Sequence, residues 1–368
     1  MARVTVLGAG LVGRAIVYDL SRTCEVTAVD ASKAALDHVA ALPRVRTITA
    51  DLAEPEVVGD LVAGADLVIS AVPGHLGYRI LAAIIQASRS VVDISFFPED
   101  ALSLDALARE RGVPAIVDCG VAPGMSHMVA GAATREMAIE RYTCHVGGLP
   151  KARTSFAEYK APFSPRDVIE EYTRPARFVS AGQVVTAPAL SDLELVDIAP
   201  VGQLEAFNTD GLRTLIETMK IPEMREKTLR YPGHAAAIQR LKREGAFSDE
   251  RIAKTCAWLF REWALVPGEP EFTVMRVSMS GRADGVRQTI VYDLYDETDP
   301  ATGLSSMART TGFTATATAH LLLEGRLTRP GIWPPECIGM EPGALDRILA
   351  YQRERGIEYR RTERTDPA

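Results

Sequence analysis

The chain has 368 residues, 47% of them hydrophobic and 24% charged, with a formal net charge of −7. That length implies about two domains with a sizeable core, and the acidic balance argues against a nucleic-acid footprint or an anionic membrane partner. No apolar run reaches bilayer length, a strand starting almost at Met1 leaves no room for a signal peptide, and the five scattered cysteines form no Cys-x-x-Cys pair, so a reduced, cytoplasmic, metal-free enzyme is expected.

Residues 3–13 read Arg-Val-Thr-Val-Leu-Gly-Ala-Gly-Leu-Val-Gly. Val4, Val6 and Leu7 suit a strand buried on both faces of a parallel sheet. After the break at Gly8-Ala9-Gly10, the spacing of Val12, Ile16 and Leu20 starts an amphipathic helix. Strand, glycine turn and helix is the context in which Gly-x-Gly-x-x-Gly binds a dinucleotide. Gly8 allows the tight turn, Gly10 admits a pyrophosphate, Gly13 lets the helix pack on the strand, and Leu11 and Val12 open the helix N-terminus towards the phosphates. The next strand, 25–30, ends at Asp30, whose carboxylate can accept from an adenosine ribose and would repel a 2′-phosphate. NAD is therefore expected in preference to NADP, with the nearby Lys33 as the contrary feature.

Alternation continues. Ser32 can cap a helix running to about Leu42, and 45–49 is a third strand, with Asp51 and Leu52 beyond it at the adenine. Pro55 opens a helix near 57–63. The fourth strand, 66–70, runs into Ala71-Val72-Pro73-Gly74. Its carboxyl end should lie over the cofactor crevice, making Ser70, Ala71, Val72 and Pro73 cofactor contacts. Helix 76–87, strand 90–94, helix 102–111 and strand 114–117 complete six strands. The fold class is α/β, a Rossmann-type doubly wound parallel sheet.

Beyond Asp118–Met125 and a helix from about Ser126 the pattern changes. Residues 142–147 read as a strand and Gly147-Gly148-Leu149-Pro150 as a turn. Residues 272–280 and 287–294 read as antiparallel strands around 281–285. This reads as an α+β segment grafted after the nucleotide-binding domain. Residues 310–323 form a helix of small and apolar residues expected to return to the first domain. A Pro-rich loop (329–336), a helix (345–355) and a mobile charged tail follow. The boundaries expected are 1–125 for the NAD-binding domain, 126–308 for the catalytic domain and 309–368 for the returning helices.

Five phrases go beyond generic chemistry: Asp118-Cys119-Gly120-Val121-Ala122-Pro123-Gly124, His145-Val146-Gly147-Gly148-Leu149-Pro150, Tyr159-Lys160-Ala161-Pro162-Phe163-Ser164-Pro165, residues 205–212 from Glu205 to Leu212, and Lys227-Thr228-Leu229-Arg230-Tyr231-Pro232-Gly233-His234. With the glycine fingerprint they resemble the saccharopine dehydrogenase (glutamate-forming) superfamily, and within it the lysine 6-dehydrogenase branch. The resemblance implies oxidation of the ε-amine of lysine with NAD to an imine. Hydrolysis releases ammonia and gives allysine, which cyclises to piperideine-6-carboxylate. It also implies a homodimer formed through the second domain. Saccharopine-forming relatives carry a Pro-Asn-Arg-Asp-Ser-like stretch whose arginine holds a substrate carboxylate. Here Ala206-Phe207-Asn208-Thr209-Asp210 has no arginine, which favours free lysine. The rival readings are a saccharopine- or carboxynorspermidine-type reductive condensing enzyme and a non-catalytic NAD-binding regulatory protein.

Hydride transfer needs a neutral amine beside the nicotinamide and a group to take its proton. Asp118, at a strand's carboxyl end, can hold the ammonium or accept its proton, or else stiffen the Pro-Gly turn. His145 and Lys160 are the other acid–base candidates. A histidine alone on a strand also fits a structural role, and a lysine among aromatics and prolines also fits a plain surface position. Arg230 is the choice for the α-carboxylate, since a guanidinium fork binds carboxylates bidentately; a salt bridge inside the second domain is its alternative. Asn208, Asp210 and Tyr159 are substrate contacts on the resemblance. Cys119 is read as packing.

Overall fold

The computed structural model describes residues 1–266 and 268–365. They form two compact units, one made of Met1–Gly131 and Ala308–Gly356, the other of Ala132–Met307 and the chain from Ile357 onward.

The first unit opens with β1 (Arg3–Leu7), β2 (Glu25–Asp30), β3 (Val45–Thr49), β4 (Leu67–Ser70), β5 (Val91–Asp93) and β6 (Pro114–Ile116). All pair in parallel. The strand β1 sits between β2 and β4, so the strand order reverses beside the glycine turn, where open α/β sheets bind ligands. Leu7, Val29, Val68 and Val91 from the strands and Ile80, Leu81 and Ile84 from helix Gly74–Gln86 share one buried cluster. Some connecting helices are shorter than the sequence suggests. Ser32 caps Ala35 N at 3.2 Å, yet the helix is only Lys33–Asp37; Pro43 disfavours helical backbone at Leu42. The helix expected at 102–111 is split into a 3₁₀ turn, Ala101–Leu104, and Asp105–Glu110.

The second unit contains β7 (Ala138–Pro150), β8 (Ala176–Ser180), β9 (Gln183–Ala187), β10 (Glu194–Ile198), β11 (Gly202–Asn208), β12 (Glu223–Arg230), β13 (Glu271–Ala283) and β14 (Val286–Glu297). The main sheet runs β10-β11-β12-β7-β13-β14, antiparallel except where β12 meets β7. Residues 147–150, expected as a turn, lie inside β7. A Cβ on Gly147 would stand 2.6 Å from the Leu229 carbonyl oxygen, and one on Gly148 2.7 Å from Met307 Cε. Those glycines therefore serve close packing rather than chain reversal. The reversal expected around 281–285 is present and falls at Asp284-Gly285, at φ 49° and 83°, the left-handed pair that a two-residue hairpin requires. Helices Pro165–Thr173, His234–Arg243 and Ile252–Glu262 pack Tyr159, Tyr172, Phe207, Ile238, Leu259 and Trp263 into a separate core.

The chain then returns. Helix Ser306–Leu323 is anchored to the first unit by Thr316, whose hydroxyl donates to Asp19 at 2.6 Å; Tyr351 (2.6 Å) and Arg355 (2.7 Å) bind the same buried carboxylate. The Pro-rich stretch is not all loop. Gly331–Trp333 is β15, paired in parallel with β6 as a seventh strand. Prolines at 330 and 334 flank those three residues without removing a donor from them. The described part of the tail is ordered: Tyr359–Thr365 is β16, antiparallel to β14, with Tyr359 buried, and residues 366–368 lie outside the described residues. The first unit thus runs to Gly131 rather than 125 and stops at Gly356, and the chain's last described residues belong to the second. Among the described residues no helix is long and apolar enough to cross a membrane, and no cluster of three or more His, Cys, Asp or Glu could hold a metal.

Candidate active site

In the first unit the sequence-predicted residues gather at the carboxyl ends of the parallel strands. A Cβ on Gly8 would lie 2.4 Å from the Ala71 carbonyl oxygen, and one on Gly13 2.1 Å from that of Gly8. Both glycines are demanded by the protein's own packing. Gly10 is different: a Cβ there would meet nothing within 4 Å. The open space at Gly10 fits a phosphate approaching the backbone, and Gly10, as N-cap of the helix Leu11–Leu20, has no side chain to cap its first amides. Gly10→Ala should therefore keep the wild-type melting temperature while weakening dinucleotide binding about tenfold or more, as isothermal titration would show.

Asp30 ends β2 and braces the loop, its carboxylate accepting from Ala9 N and Ser32 N, both at 2.7 Å. Asp51 is exposed and accepts from Ala53 N at 2.9 Å, while Leu52 beside it is buried. Ser70 and Val72 are buried, Ala71 lies against Gly8, and Pro73 is exposed. Ser70 leads to a residue that sequence reading passed over. Its hydroxyl lies 3.5 Å from that of Ser95, and the fully buried Asp93 accepts from Ser95 Oγ at 2.9 Å and Ser95 N at 3.0 Å. Burial pushes the Asp93 carboxyl up to about 7, against the serine hydrogen bonds, and neighbouring Asp118 adds to the rise. Asp118 follows β6, also buried, with its backbone at φ 51°. Cys119 is held as a thiol, pushed up to about 12 by burial and bonded to Thr318 at 3.3 Å. That suits packing rather than nucleophilic work.

The second unit joins two of the other candidates. Arg230 is 2% exposed, its guanidinium 4.2 Å over the Tyr159 ring. It donates to the hydroxyls of Tyr159 and Tyr172, each at 3.3 Å, and is ion-paired with Glu171. His234 Nδ1 faces the Ala157 carbonyl at 2.9 Å. A carbonyl only accepts, so Nδ1 carries the hydrogen. Burial, aided by the Arg230 charge, pushes His234 down to about 3. The neutral ring's Nε2 then accepts from the Tyr172 hydroxyl at 2.9 Å. Arg230, expected to bind a substrate carboxylate, already holds a carboxylate of its own chain.

The remaining candidates sit apart from this network. Lys160 Nζ donates to the Ala264 carbonyl at 3.1 Å. Asn208 donates to Ser191 at 3.3 Å, and Asp210 forms a two-pronged pair with Arg177 at 2.9 and 3.0 Å. His145 lies 3.6 Å from Glu194, and burial lowers its pKa. The stronger cation there is one the sequence reading left aside: Lys227, 3% exposed, 2.7 Å from Glu194 and 2.9 Å from Asp192. Its place opposite His145 on β7 shows only in the fold, so the sequence offered no signal beyond its position in the phrase Lys227–His234.

Comparison with known proteins divides the chain near residue 118, although the second match also takes in Ala308–Gly356 of the first unit. A model of the saccharopine dehydrogenase NADP binding domain matches residues 4–116, and one of the saccharopine dehydrogenase C-terminal domain matches 120–357. The bovine mitochondrial alpha-aminoadipic semialdehyde synthase is 24% identical over 97% of this chain and 47% of its own length. A saccharopine dehydrogenase [NADP(+), L-glutamate-forming] from Pyricularia oryzae is 28% identical over 55% of this chain and 48% of its own. The chain thus spans about half the length, or less, of the first curated relatives it matches. Apo saccharopine dehydrogenase (L-Glu forming) from Saccharomyces cerevisiae shares the fold, with a TM-score of 0.79 at 18% identity and full coverage of both chains. Matched by the C-terminal-domain model over more than half its length, the chain belongs to the saccharopine dehydrogenase family.

Proposed function

We propose that the chain is a nicotinamide-dependent dehydrogenase that oxidises the ε-amine of L-lysine, with NAD preferred. The observation that carries this is the pair of buried carboxyl groups, Asp93 ending β5 and Asp118 just after β6, on adjacent strands of the sheet whose β1 leads into the glycine loop. An acidic strand end of this kind suits an ammonium and gives its proton somewhere to go. The nicotinamide supplies the hydride acceptor. The loop Gly8–Gly13 and Asp30 hold its dinucleotide, and Asp118 takes the proton that frees the amine lone pair. Loss of hydride from the ε-carbon then forms a C=N bond to the ε-nitrogen, and water hydrolyses this imine to aldehyde and ammonia. Asp30 supports NAD, because a carboxylate repels a 2′-phosphate, although the relatives' names specify NADP(+).

A saccharopine-type condensing reaction has its own support. Arg177 lies against Asp210 at 2.9 Å, returning a guanidinium to the stretch 206–210 that lacks one in sequence. Absorbance of reduced nicotinamide, followed with NAD or NADP and L-lysine, D-lysine, ornithine, saccharopine or diaminopropane at mildly alkaline pH, separates the readings. Reduction of NAD with L-lysine, and a cyclic imine trapped by o-aminobenzaldehyde, is the expected result. Turnover of saccharopine alone would replace it with the condensing reaction.

A further inference from the structure

We propose that Asp93 is a positioning residue: from the end of β5 it sets the Asp118 side chain against the substrate amine and links it to the glycine loop. The inference rests on the amine oxidation proposed above. It begins from a continuous line of contacts across four strand ends. Gly8, after β1, abuts the carbonyl of Ala71. Ser70, which ends β4, lies 3.5 Å from the Ser95 hydroxyl, which in turn donates to Asp93 at 2.9 Å. The main-chain oxygen of Asp93 accepts from Cys119 N at 2.9 Å, locking the residue next to Asp118.

That lock has something to hold. Asp118 has left-handed backbone at φ 51°, a conformation that costs a non-glycine residue energy and persists only where its surroundings impose it. Cys119 is held on both sides, by Asp93 through its amide and by Thr318 through its thiol. The Asp93 side chain keeps its own strand end rigid by accepting from Ser95 N at 3.0 Å. The groups facing Asp93 are the Ser70 hydroxyl of β4, Ser95, and Asp118 and Cys119 after β6. Helix Gly74–Gln86 packs Gly77 closely against Ser95. No cation is among them. Asp93 therefore keeps its proton into the neutral range, consistent with its rise to about 7. It loses that proton only at the expense of a second negative charge beside Asp118.

Asp93→Asn preserves shape: its oxygen can accept from Ser95 N while its amide donates to the serine hydroxyls. It cannot ionise. Its amide reverses the hydrogen bond that the Ser95 hydroxyl donates to Asp93 and so alters the side-chain brace on the strand end, while the main-chain bond to Cys119 N stays. In the lysine assay kcat should fall about tenfold with KM for NAD unchanged, and the kcat inflection near pH 7 should vanish. Unfolding gives a second reading. An aspartate ordinarily titrating near 3.8 but raised to about 7 in the fold makes the native state the better proton binder between those values. Stability then falls as pH rises through that window, and Asp93→Asn should flatten the decline in the urea midpoint. Should that variant fold poorly, Ser95→Ala, which removes one donor to the same carboxyl, should also lower kcat and leave KM for NAD alone. Wild-type kcat and pH profile in the variants would overturn the proposal while leaving the amine reaction standing. Absence of turnover by the wild-type protein on every amine would overturn both, whatever the urea midpoints show.

Discussion

Asp118→Asn should lower kcat for amine oxidation at least hundredfold, about 2.7 kcal/mol of transition-state stabilisation. The amide is isosteric and tolerates left-handed backbone, so the loop that holds residue 118 at φ 51° should survive the change. What disappears is the ability to take the substrate's proton. KM for NAD should stay near wild type, because the dinucleotide is held by the glycine loop and Asp30. Activity should recover in part as pH rises and free amine becomes abundant in solution. A steady-state pH series on the purified variant checks both points. Full activity in the variant would remove Asp118 from the chemistry and return the proton to His145 or Lys160.

The second large effect concerns stability. Arg230→Met should cost about 3 kcal/mol in urea unfolding, because it leaves Glu171, only 16% exposed, without its cation. Burial already raises the Glu171 pKa, with the Arg230 charge and hydrogen bond pulling the other way. Removing Arg230 leaves burial unopposed. A carboxyl with its folded pKa raised above the unfolded one destabilises the fold as pH climbs, so the variant should be rescued in part by mild acid. The double variant Arg230→Met, Glu171→Gln should regain much of the loss at neutral pH, since no unpaired charge remains. If Arg230 instead served only the substrate, the single variant would unfold like wild type.

Local patterns were the legible part. The run Val4–Leu7, the glycines and Asp30 lie within one strand–turn–helix unit, where spacing in sequence is spacing in space. The same holds for the Asp284-Gly285 hairpin, whose flanking strands alternate. Long-range demands were hidden. Gly147 and Gly148 read as a turn because the reason for them, a neighbouring strand and helix, lies some eighty to a hundred and sixty residues away at Leu229 and Met307. The strand Gly331–Trp333 is too short to show alternation and is masked by its prolines. In the site, the glycine loop was readable because every part is local. Asp93 was not, since its character comes from Ser70, Ser95 and Asp118 on different strand ends. Arg230 was singled out by its motif, but Glu171, the anion it holds, could be found only in three dimensions.

The two units interrupt each other along the chain: the first needs Ala308–Gly356 and the second needs the residues from Ile357 onward. Synthesis therefore releases neither in finished form until its last stretch. Residues 1–131 emerge with six strands of a seven-stranded sheet, and β14 waits with one edge open until β16 arrives to cover it. An open strand edge is a template for association with another chain. A protein cut short after Gly356 would present that edge permanently, although everything needed for the dinucleotide loop would already have been made. Truncation at the tail should be met by aggregation before any loss of cofactor binding is seen.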